Sequence, residues 1–294
     1  MDRLLAMTTF VRVVEAGSFS GAARVLNVGQ PAVSKTVAQL EQRLDVRLLL
    51  RSTHGLTPTE AGLRFYERAR VAIQEADEAE LAARGAGSGL SGRLRISAAP
   101  SFSRLHVIPW LPRFLDANPG LEIDVVLDDR QIDLIAEGID VSLRMGELAD
   151  SSAVARKLAS SRRCVMATSR YLARAGVPRA PADLADHEAV VSSQLSNVWN
   201  FRRHGAEVSI LVRGRARFSA AEGIRAAVLA DMGLVVASEW MFGPELADGS
   251  VVRLLEDWSL PDIDLWAVFP TGRLATAKAR SFAEFVEDVM RNGG

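Results

Sequence analysis

The sequence predicts an α/β protein with a small helical N-terminal domain, a long linker helix and two α/β lobes. Three observations support this fold class. Basic charge is concentrated at the N-terminal end of the 294 residues, a glycine- and serine-rich stretch at 85–92 divides the chain, and strand–helix alternation occurs only after that stretch. We therefore expect an N-terminal domain at 1–58, a linker and dimerisation helix with a hinge at 59–91, and a C-terminal domain at 92–294.

Composition limits the class of protein. Residues 1–70 hold ten Lys/Arg and six Asp/Glu, a net charge of +4, whereas the whole chain has −1, so any nucleic-acid surface is local. The single cysteine, Cys164, excludes a disulfide framework within the chain and a four-cysteine zinc site. No secretory signal and no run of roughly 18 uncharged apolar residues is present, so we expect a cytoplasmic protein with no membrane contact.

The N-terminal elements begin with three short helix patterns. Apolar residues at helical spacing run up to Gly17, and Ser18 is a good N-cap for a second short helix. A third helix begins near Gln30, where proline at the next position is tolerated. Its apolar stripe is Val33, Val37, Leu40 and Leu44. Two short helices joined by a turn that contains glycine predict a helix-turn-helix at 18–37.

The face of the third helix opposite this stripe is small, polar and basic. It carries Gln30, Pro31, Ser34 and Lys35. Gln and Ser side chains bind base edges in a major groove, and Lys binds phosphate, so this face is a candidate DNA-binding surface. The alternative is a polar face that is only solvated.

A wing and a long helix follow. A short apolar run, a turn at Gly55 and a return predict a two-stranded wing. Its tip carries Arg51, Thr53 and His54. Residues 57–60 fit a capping box with proline at the first helical position, and the helix is expected to run to about Arg84, about 40 Å. Its alanine-rich stripe predicts pairing with a second copy of the chain; the alternative is packing within the same chain.

These motifs occur together in an order typical of one family. They are Phe10-Val11, Glu15, Gly17-Ser18-Phe19-Ser20, Ala22-Ala23, Leu26, Gln30-Pro31-Ala32-Val33-Ser34-Lys35, Leu40-Glu41, Leu44, Arg51, Leu56-Thr57 and Glu60-Ala61-Gly62. Residues 1–66 resemble the N-terminal domain of LysR-type transcriptional regulators, and the chain length and the long helix before a linker also fit that family. The chain departs from the family pattern at Gly29 (often serine), Asp45 (commonly glycine) and Leu49 (commonly phenylalanine), and none of these removes a charge that DNA binding needs.

The resemblance implies a transcription factor that binds double-stranded promoter DNA as a homodimer or homotetramer. It places the outward face of the third helix in the major groove and Arg51 of the wing on the DNA backbone. Ser18, Thr53 and His54 complete the expected DNA-binding set. RNA polymerase is a further candidate partner.

The region after residue 92 contains alternating strand and helix patterns that restart near residue 163. This alternation predicts parallel sheets covered by helices. Strands are expected at 94–98, 121–127, 139–144, 163–168, 189–193, 208–218, 233–237, 250–254 and 265–269, and helices at about 132–138, 220–231 and 275–290. We expect lobe I at about 92–162 and 267–294, and lobe II at about 163–266. The resemblance implies the same arrangement, a domain similar to type 2 periplasmic binding proteins.

The carboxyl ends of these strands carry the candidate effector site, because open α/β sheets bind ligands there. The site comprises Ser101, Phe102, Ser103, Asp128, Arg144, Ser193, Phe218, Ser219 and Ser238. Ser101 and Ser103 precede a helix whose free N–H groups suit a carboxylate, and Arg144 is placed to pair with an anionic small-molecule effector. The alternative for Arg144 is a structural ion pair with Asp128 or Asp140.

No motif in the sequence indicates catalysis, a metal site or a cofactor. The glycine spacing at 87–92 matches a dinucleotide-binding loop but precedes a strand instead of following one. The four histidines show no paired-ligand spacing, and Cys164 fits a buried apolar position. We therefore expect a ligand-responsive regulator that is not an enzyme. The competing classes are an enzyme or solute-binding module in the lobes, and a purely architectural DNA binder.

Overall fold

The computed structural model describes residues 2–52, 55–83, 90–148, 154–272 and 275–292. The chain divides into two compact units. The N-terminal unit comprises Met1–Gly89 with Arg273–Ala277, and the C-terminal unit comprises Leu90–Gly272 with Lys278–Gly294.

The N-terminal unit contains four helices and a hairpin among its described residues. They are α1 (Arg3–Ala16), α2 (Phe19–Leu26), α3 (Gln30–Leu44), β1 (Leu49–Ser52), β2 (Gly55–Pro58) and α4 (Glu60–Ala83). Local signals end and start the helices as expected: Gly17 closes α1 at φ 61°, and the Ser18 hydroxyl accepts the Gly21 N–H at 3.0 Å. Asp45 closes α3 in the left-handed region at φ 51°.

The core of this unit lies between α1, α2, α3 and the hairpin. Phe10 is fully buried and meets the edge of Phe65 from α4, with ring centroids 5.4 Å apart. The α3 stripe contributes Val33, Val37 and Leu40, but Leu44, its predicted last member, is 40% exposed. Leu44 is the last residue of the helix, where the left-handed Asp45 turns the chain towards the wing.

The start of α4 differs from the predicted capping box. Thr57 pairs with Leu50 and Pro58 with Leu49 in the antiparallel hairpin, so both are held in extended conformation. The N-cap is Thr59, whose hydroxyl accepts the Gly62 N–H at 2.9 Å. Pro58 therefore ends a strand instead of starting the helix, because the strand pairing competes successfully for these residues.

Glu41 joins the third helix to the wing. Its Oε1 accepts the backbone N–H groups of Leu48 and Leu49 at 2.7 and 3.0 Å. Because Leu48 and Leu49 are buried, water does not easily replace the Glu41 carboxylate as the acceptor of their N–H groups. The carboxylate thus sets where the chain leaves α3 and enters β1.

Glu41→Ala is expected to lower the free energy of unfolding of the N-terminal unit by about 2 kcal/mol, because two N–H groups lose a charged acceptor. Urea unfolding followed by far-UV circular dichroism measures this loss. Glu41→Gln keeps an acceptor oxygen and is expected to restore most of the stability. The control is Glu60→Ala, which removes an exposed pair with Arg64 and is expected to cost less than about 1 kcal/mol. Equal losses for Glu41→Ala and Glu60→Ala would contradict this role.

The C-terminal unit contains twelve described strands. They are β3 (Ser91–Ala98), β4 (Gly120–Leu127), β5 (Val141–Met145), β6 (Val154–Ser161), β7 (Arg163–Thr168), β8 (Val191–Ser192), β9 (Val198–Arg203), β10 (Ala206–Leu211), β11 (Arg217–Phe218), β12 (Val235–Ser238), β13 (Val251–Leu254) and β14 (Ile263–Phe269).

The described helices of this unit are α5 (Pro100–Phe102), α6 (Leu111–Asp116), α7 (Ser169–Ala175), α8 (Ala221–Leu229), α9 (Gly243–Asp248) and α10 (Ala277–Asn292). A π-helical turn (Ser103–Val107) and a 3₁₀ turn (Ile108–Trp110) join α5 to α6. Further 3₁₀ turns lie at Pro181–Asp186 and Glu239–Phe242.

Lobe I is built on a mixed five-stranded sheet in the order β4-β3-β5-β14-β6. The strand β3 runs parallel to β4 and β5, as the alternation predicts, whereas β14 is antiparallel to β5 and β6. Because β14 begins at Ile263 and pairs along its length in this sheet, residues 263–266 belong to lobe I and not to lobe II as predicted. The strand β6 was not predicted.

Lobe II differs from the predicted parallel sheet. Its central sheet is antiparallel in the order β12-β7-β13, and the parallel pairing described in this lobe is the short pair β8 and β11 with single bridges beside it. The predicted single strand at 208–218 is two strands, β10 of a hairpin with β9 and then β11. Apolar periodicity reports burial but not strand direction, so the sequence pattern does not distinguish these arrangements.

The predicted short helix at 132–138 is a series of turns. The Asp133 carboxylate accepts the N–H groups of Ile135 and Ala136 at 3.0 and 3.1 Å. This is the geometry of a helix N-cap, but Gly138 in the left-handed region at φ 64° ends the segment after a single turn.

Candidate functional site

The third helix presents its predicted polar face outward. Gln30, Pro31 and Lys35 are exposed, Ser34 is half-buried, and Val33 and Val37 hold the opposite face in the core. The N-cap, Gly29, has no side chain to bind the first N–H groups of the helix. An exposed helix N-terminus of this kind attracts anions such as a DNA phosphate, and Lys35 adds a positive charge one turn further on.

The other predicted DNA-binding residues belong to the start of α2 and to the wing. The Ser18 hydroxyl caps α2, which gives this residue a structural role. Arg51 lies in β1 opposite Leu56, and only its backbone is described. Thr53 and His54 at the predicted wing tip lie outside the described residues.

In the C-terminal unit, the segment of lobe I after β3 contacts lobe II through its side chains. The buried Ser101 hydroxyl donates to Oε2 of Glu222 in α8 at 2.6 Å, and Nη2 of Arg104 donates to Oε1 of the same carboxylate at 3.0 Å. Hydrogen bonding to Ser101 is the main cause that lowers the pKa of Glu222. Phe102 meets the edge of Trp240 with ring centroids 5.9 Å apart.

Two further contacts join the lobes. Nε2 of His106 lies 2.8 Å from the Trp240 carbonyl oxygen. The Asp129 carboxylate accepts the Ala221 N–H at 2.9 Å at the N-terminal end of α8, and burial raises the pKa of Asp129. Ser103 lies beside these contacts in the chain, in the π-helical turn, and its hydroxyl is fully buried with no hydrogen-bond partner among the described residues.

A second group contains Asp128, Arg130 and Arg144. Asp128 accepts Nε and Nη2 of Arg130 at 3.1 and 2.8 Å, which holds its pKa well below the usual range. Nε of Arg144 donates to the Ser142 hydroxyl at 2.9 Å, and Nη1 donates to the Arg130 carbonyl at 3.2 Å. Burial lowers the pKa of Arg144, and the nearby Asp128 carboxylate partly offsets this effect.

The structural ion pair considered for Arg144 is therefore not formed. Asp128 binds Arg130, and Asp140 accepts the backbone N–H of Arg95 at 2.8 Å. Within the part of the chain that the structure describes, no carboxylate lies within ion-pair distance of Arg144. A half-buried guanidinium at a strand end thus keeps donors for a ligand.

The remaining predicted residues lie in lobe II. The Ser193 N–H donates to the Phe218 carbonyl at 2.9 Å, and Nε2 of Gln194 donates to the Ser219 carbonyl at 2.8 Å. Ser238 is nearly buried at the end of β12, opposite Arg163. Glu222, Arg104 and Trp240 were not among the predicted site residues. The only sequence signal for Glu222 was an acidic residue in the first turn of a predicted helix.

The described ranges give little indication of metal binding or of a reactive thiol. No group of three or more His, Cys, Asp or Glu residues is placed there to hold a metal ion. The thiol of Cys164 is buried 3.7 Å from a Glu239 oxygen, and burial raises its pKa, which disfavours the reactive thiolate. None of the helices searched in these ranges is long and apolar enough to cross a membrane.

The two units together define a class of protein. A helix-turn-helix with an exposed basic helix, followed by a two-lobed α/β domain, is the architecture of a transcriptional regulator with a ligand-binding domain. Residues 4–63 match the family of bacterial regulatory helix-turn-helix proteins of lysR type, and residues 87–291 match the LysR substrate binding domain. The chain belongs to the LysR family of transcriptional regulators.

Whole-chain relatives agree with this assignment. The chain is 36% identical over 283 residues to an HTH-type transcriptional regulator of Xanthomonas campestris pv. campestris, covering 94% of this chain and 82% of the relative. It is 32% identical over 275 residues to an uncharacterized HTH-type transcriptional regulator of Haemophilus influenzae, covering 93% and 96%. The solved structure of CrgA, a LysR-type transcriptional regulator from Neisseria meningitidis, is similar over 100% of both chains with 28% identity and a TM-score of 0.61.

Proposed function

We propose that this LysR-type regulator binds promoter DNA sequence-specifically, and that a small-molecule effector between its two lobes modulates DNA binding or promoter activation. The observation that carries the effector part is Arg144, a half-buried guanidinium at the carboxyl end of a strand with no carboxylate partner among the described residues. The protein acts in the cytoplasm, and promoter activation brings RNA polymerase in as a further partner.

The DNA-binding part rests on α3. Its buried side anchors it to the domain, and its exposed N-terminal half carries Gln30 and Ser34 to bind base edges and Lys35 to bind phosphate. Arg51, Thr53 and His54 in the wing are proposed as backbone contacts. Specific readout is assigned to Gln30 and Ser34, because phosphate contacts carry no sequence information.

Oligomerisation is assigned to α4, which has 24 residues and is about 36 Å long. Pairing of two copies along this helix would bring two recognition helices to half-sites about 34 Å apart, or a multiple of this distance. The proposed functional form is a homodimer or a homotetramer.

The effector is proposed to be an anion. Arg144 offers a charged donor fork at the end of the neighbouring strand β5, and the Ser103 hydroxyl beyond β3 has no hydrogen-bond partner among the described residues. The Ser101 hydroxyl, in contrast, already donates to a carboxylate, that of Glu222. Guanidinium and hydroxyl groups together suit a carboxylate.

The test is footprinting of the purified full-length protein on the DNA upstream of its own gene, repeated with metabolites suggested by the neighbouring genes. We expect a protected site whose affinity or extent changes with one anionic metabolite. Arg144→Gln is expected to weaken that response by at least about tenfold in effector concentration, since one charged hydrogen bond is lost. Binding to DNA without the metabolite is expected to persist.

The matched control is Arg93→Gln, which removes an exposed arginine paired with Asp124 in lobe I. It is expected to leave the effector response unchanged. An Arg144→Gln protein with the wild-type effector response would contradict the site, and absence of protection even at low ionic strength would contradict the DNA-binding function.

A further inference from the structure

The chain places one of its own carboxylates where a ligand carboxylate is expected. Ser101 was predicted to bind effector, and its hydroxyl instead donates to Glu222 at 2.6 Å. Arg104, one turn further along, donates to both oxygens of that carboxylate at 3.0 and 3.3 Å. A buried hydroxyl and a guanidinium therefore already bind a carboxylate group in the junction between the lobes.

This contact links segments that are far apart in the chain. Ser101 and Arg104 belong to lobe I, and Glu222 is the second residue of α8 in lobe II. Asp129 of lobe I binds the same end of α8 through the Ala221 N–H. The beginning of α8 is thus held to lobe I by two carboxylates, one contributed by each lobe.

The contact is of a kind that a ligand can displace. The side chains of Arg104 and Glu222 are 48% and 46% exposed, so their ion pair is screened by solvent and weak. Ser101, in contrast, is 3% exposed, and loss of its acceptor would leave a buried hydroxyl unpaired. Ser101 therefore needs a hydrogen-bond acceptor and Arg104 favours an anionic one, but neither needs this particular carboxylate.

We propose that Glu222 is a built-in competitor of the effector, and that the effector is a small carboxylate whose carboxylate group replaces that of Glu222 on Ser101 and Arg104. This inference rests on the proposed function, in which the effector binds between the lobes. Replacement also breaks a bond between α8 and lobe I, so ligand binding changes the connection between the lobes directly.

The competitor sets a threshold for the effector. A group tethered in the same chain acts at an effective concentration of millimolar or more, so a simple monocarboxylate does not displace Glu222. An effector needs a second anchoring group, and Arg144, which has no carboxylate partner among the described residues, keeps a charged donor that can bind one. The ligand class is therefore a small carboxylate with a second anionic or hydrogen-bond-accepting group.

The experiment uses propionate, which has the same end group and chain length as a glutamate side chain, and the full-length protein. Tryptophan fluorescence reports binding, because Trp240 contacts Phe102 beside the site. We expect Glu222→Ala to bind propionate at least about tenfold more tightly than the wild type does. The double variant Ser101→Ala/Glu222→Ala is expected to lose this gain.

The control is Glu207→Ala, which removes an exposed carboxylate paired with Arg202 on the β9–β10 hairpin. It is expected to bind propionate as weakly as the wild type. Equal propionate affinity in the wild type and Glu222→Ala, or binding to neither, overturns the inference.

A second measurement covers the case in which the alanine variant does not fold. Glu222→Gln keeps the side-chain length and removes the charge. We expect faster hydrogen exchange in the backbone of residues 221–225 than in the wild type, since the hold of lobe I on α8 is weakened; unchanged exchange there overturns the inference. Neither measurement uses DNA, so a failure of effector control over DNA binding contradicts the proposed function alone.

Discussion

Lys35→Glu is expected to reduce DNA affinity by about 100-fold, or about 3 kcal/mol for a dimer that carries two copies of the change. Lys35 is exposed on α3, the proposed recognition helix, so the substitution removes the proposed phosphate contact and puts a negative charge in its place. Lys35→Ala removes only the contact and is expected to weaken binding similarly for all sequences while lowering the salt dependence by about one phosphate per chain. Gel retardation over a range of salt concentrations measures both effects.

The control for Lys35→Glu is Arg64→Glu, which makes the same change in net charge in the same unit. Arg64 is exposed on α4 and paired with Glu60, outside the predicted DNA-binding face. A loss of affinity for Arg64→Glu as large as that for Lys35→Glu would show that only net charge matters and would contradict the assignment of α3. Substitutions at Gln30 or Ser34 are instead expected to alter sequence preference.

Gly62→Ala is expected to destabilise the N-terminal unit by about 3 kcal/mol, because the chain passes too close for a side chain at this position. A Cβ atom on Gly62 would lie 2.0 Å from the Leu48 carbonyl oxygen and 3.0 Å from its carbon. That carbonyl cannot move away easily, since it also accepts the Thr59 N–H at 2.9 Å. The substitution therefore forces α4 and the wing apart.

The five tryptophans allow this effect to be measured separately in each unit. All of them lie in the C-terminal unit, so tryptophan fluorescence reports the unfolding of that unit, whereas far-UV circular dichroism reports both. We expect Gly62→Ala to shift an early transition in circular dichroism and to leave the fluorescence transition unchanged.

The matched control for this substitution is Gly243→Ala. A Cβ at Gly243 meets nothing within 4 Å, and its φ of −48° suits any residue. Its stability is expected to be that of the wild type. A Gly62→Ala protein as stable as Gly243→Ala would refute the close approach.

The helices of the N-terminal unit could be predicted from the sequence, because the signals that start and end them act over only a few residues. Ser18 caps its helix through Gly21, and Gly17 and Asp45 end helices at positive φ. The capping of α4 did not follow, because strand pairing in the wing competes with the helix for Thr57 and Pro58. The role of Glu41 was also hidden, although the residue belongs to the family motif, because its partners lie seven and eight residues away across a turn.

The sequence by itself determined the helix-turn-helix, the outward polar face of α3 and the parallel half of the lobe I sheet, because periodicity and caps are local properties. Only the tertiary structure decided the antiparallel sheet of lobe II, the antiparallel direction of β14 between β5 and β6, and the meeting of Ser101 with Glu222 across 121 positions. Contacts of this kind depend on which surfaces pack together after the elements have formed, and hydrophobic pattern alone does not encode that choice.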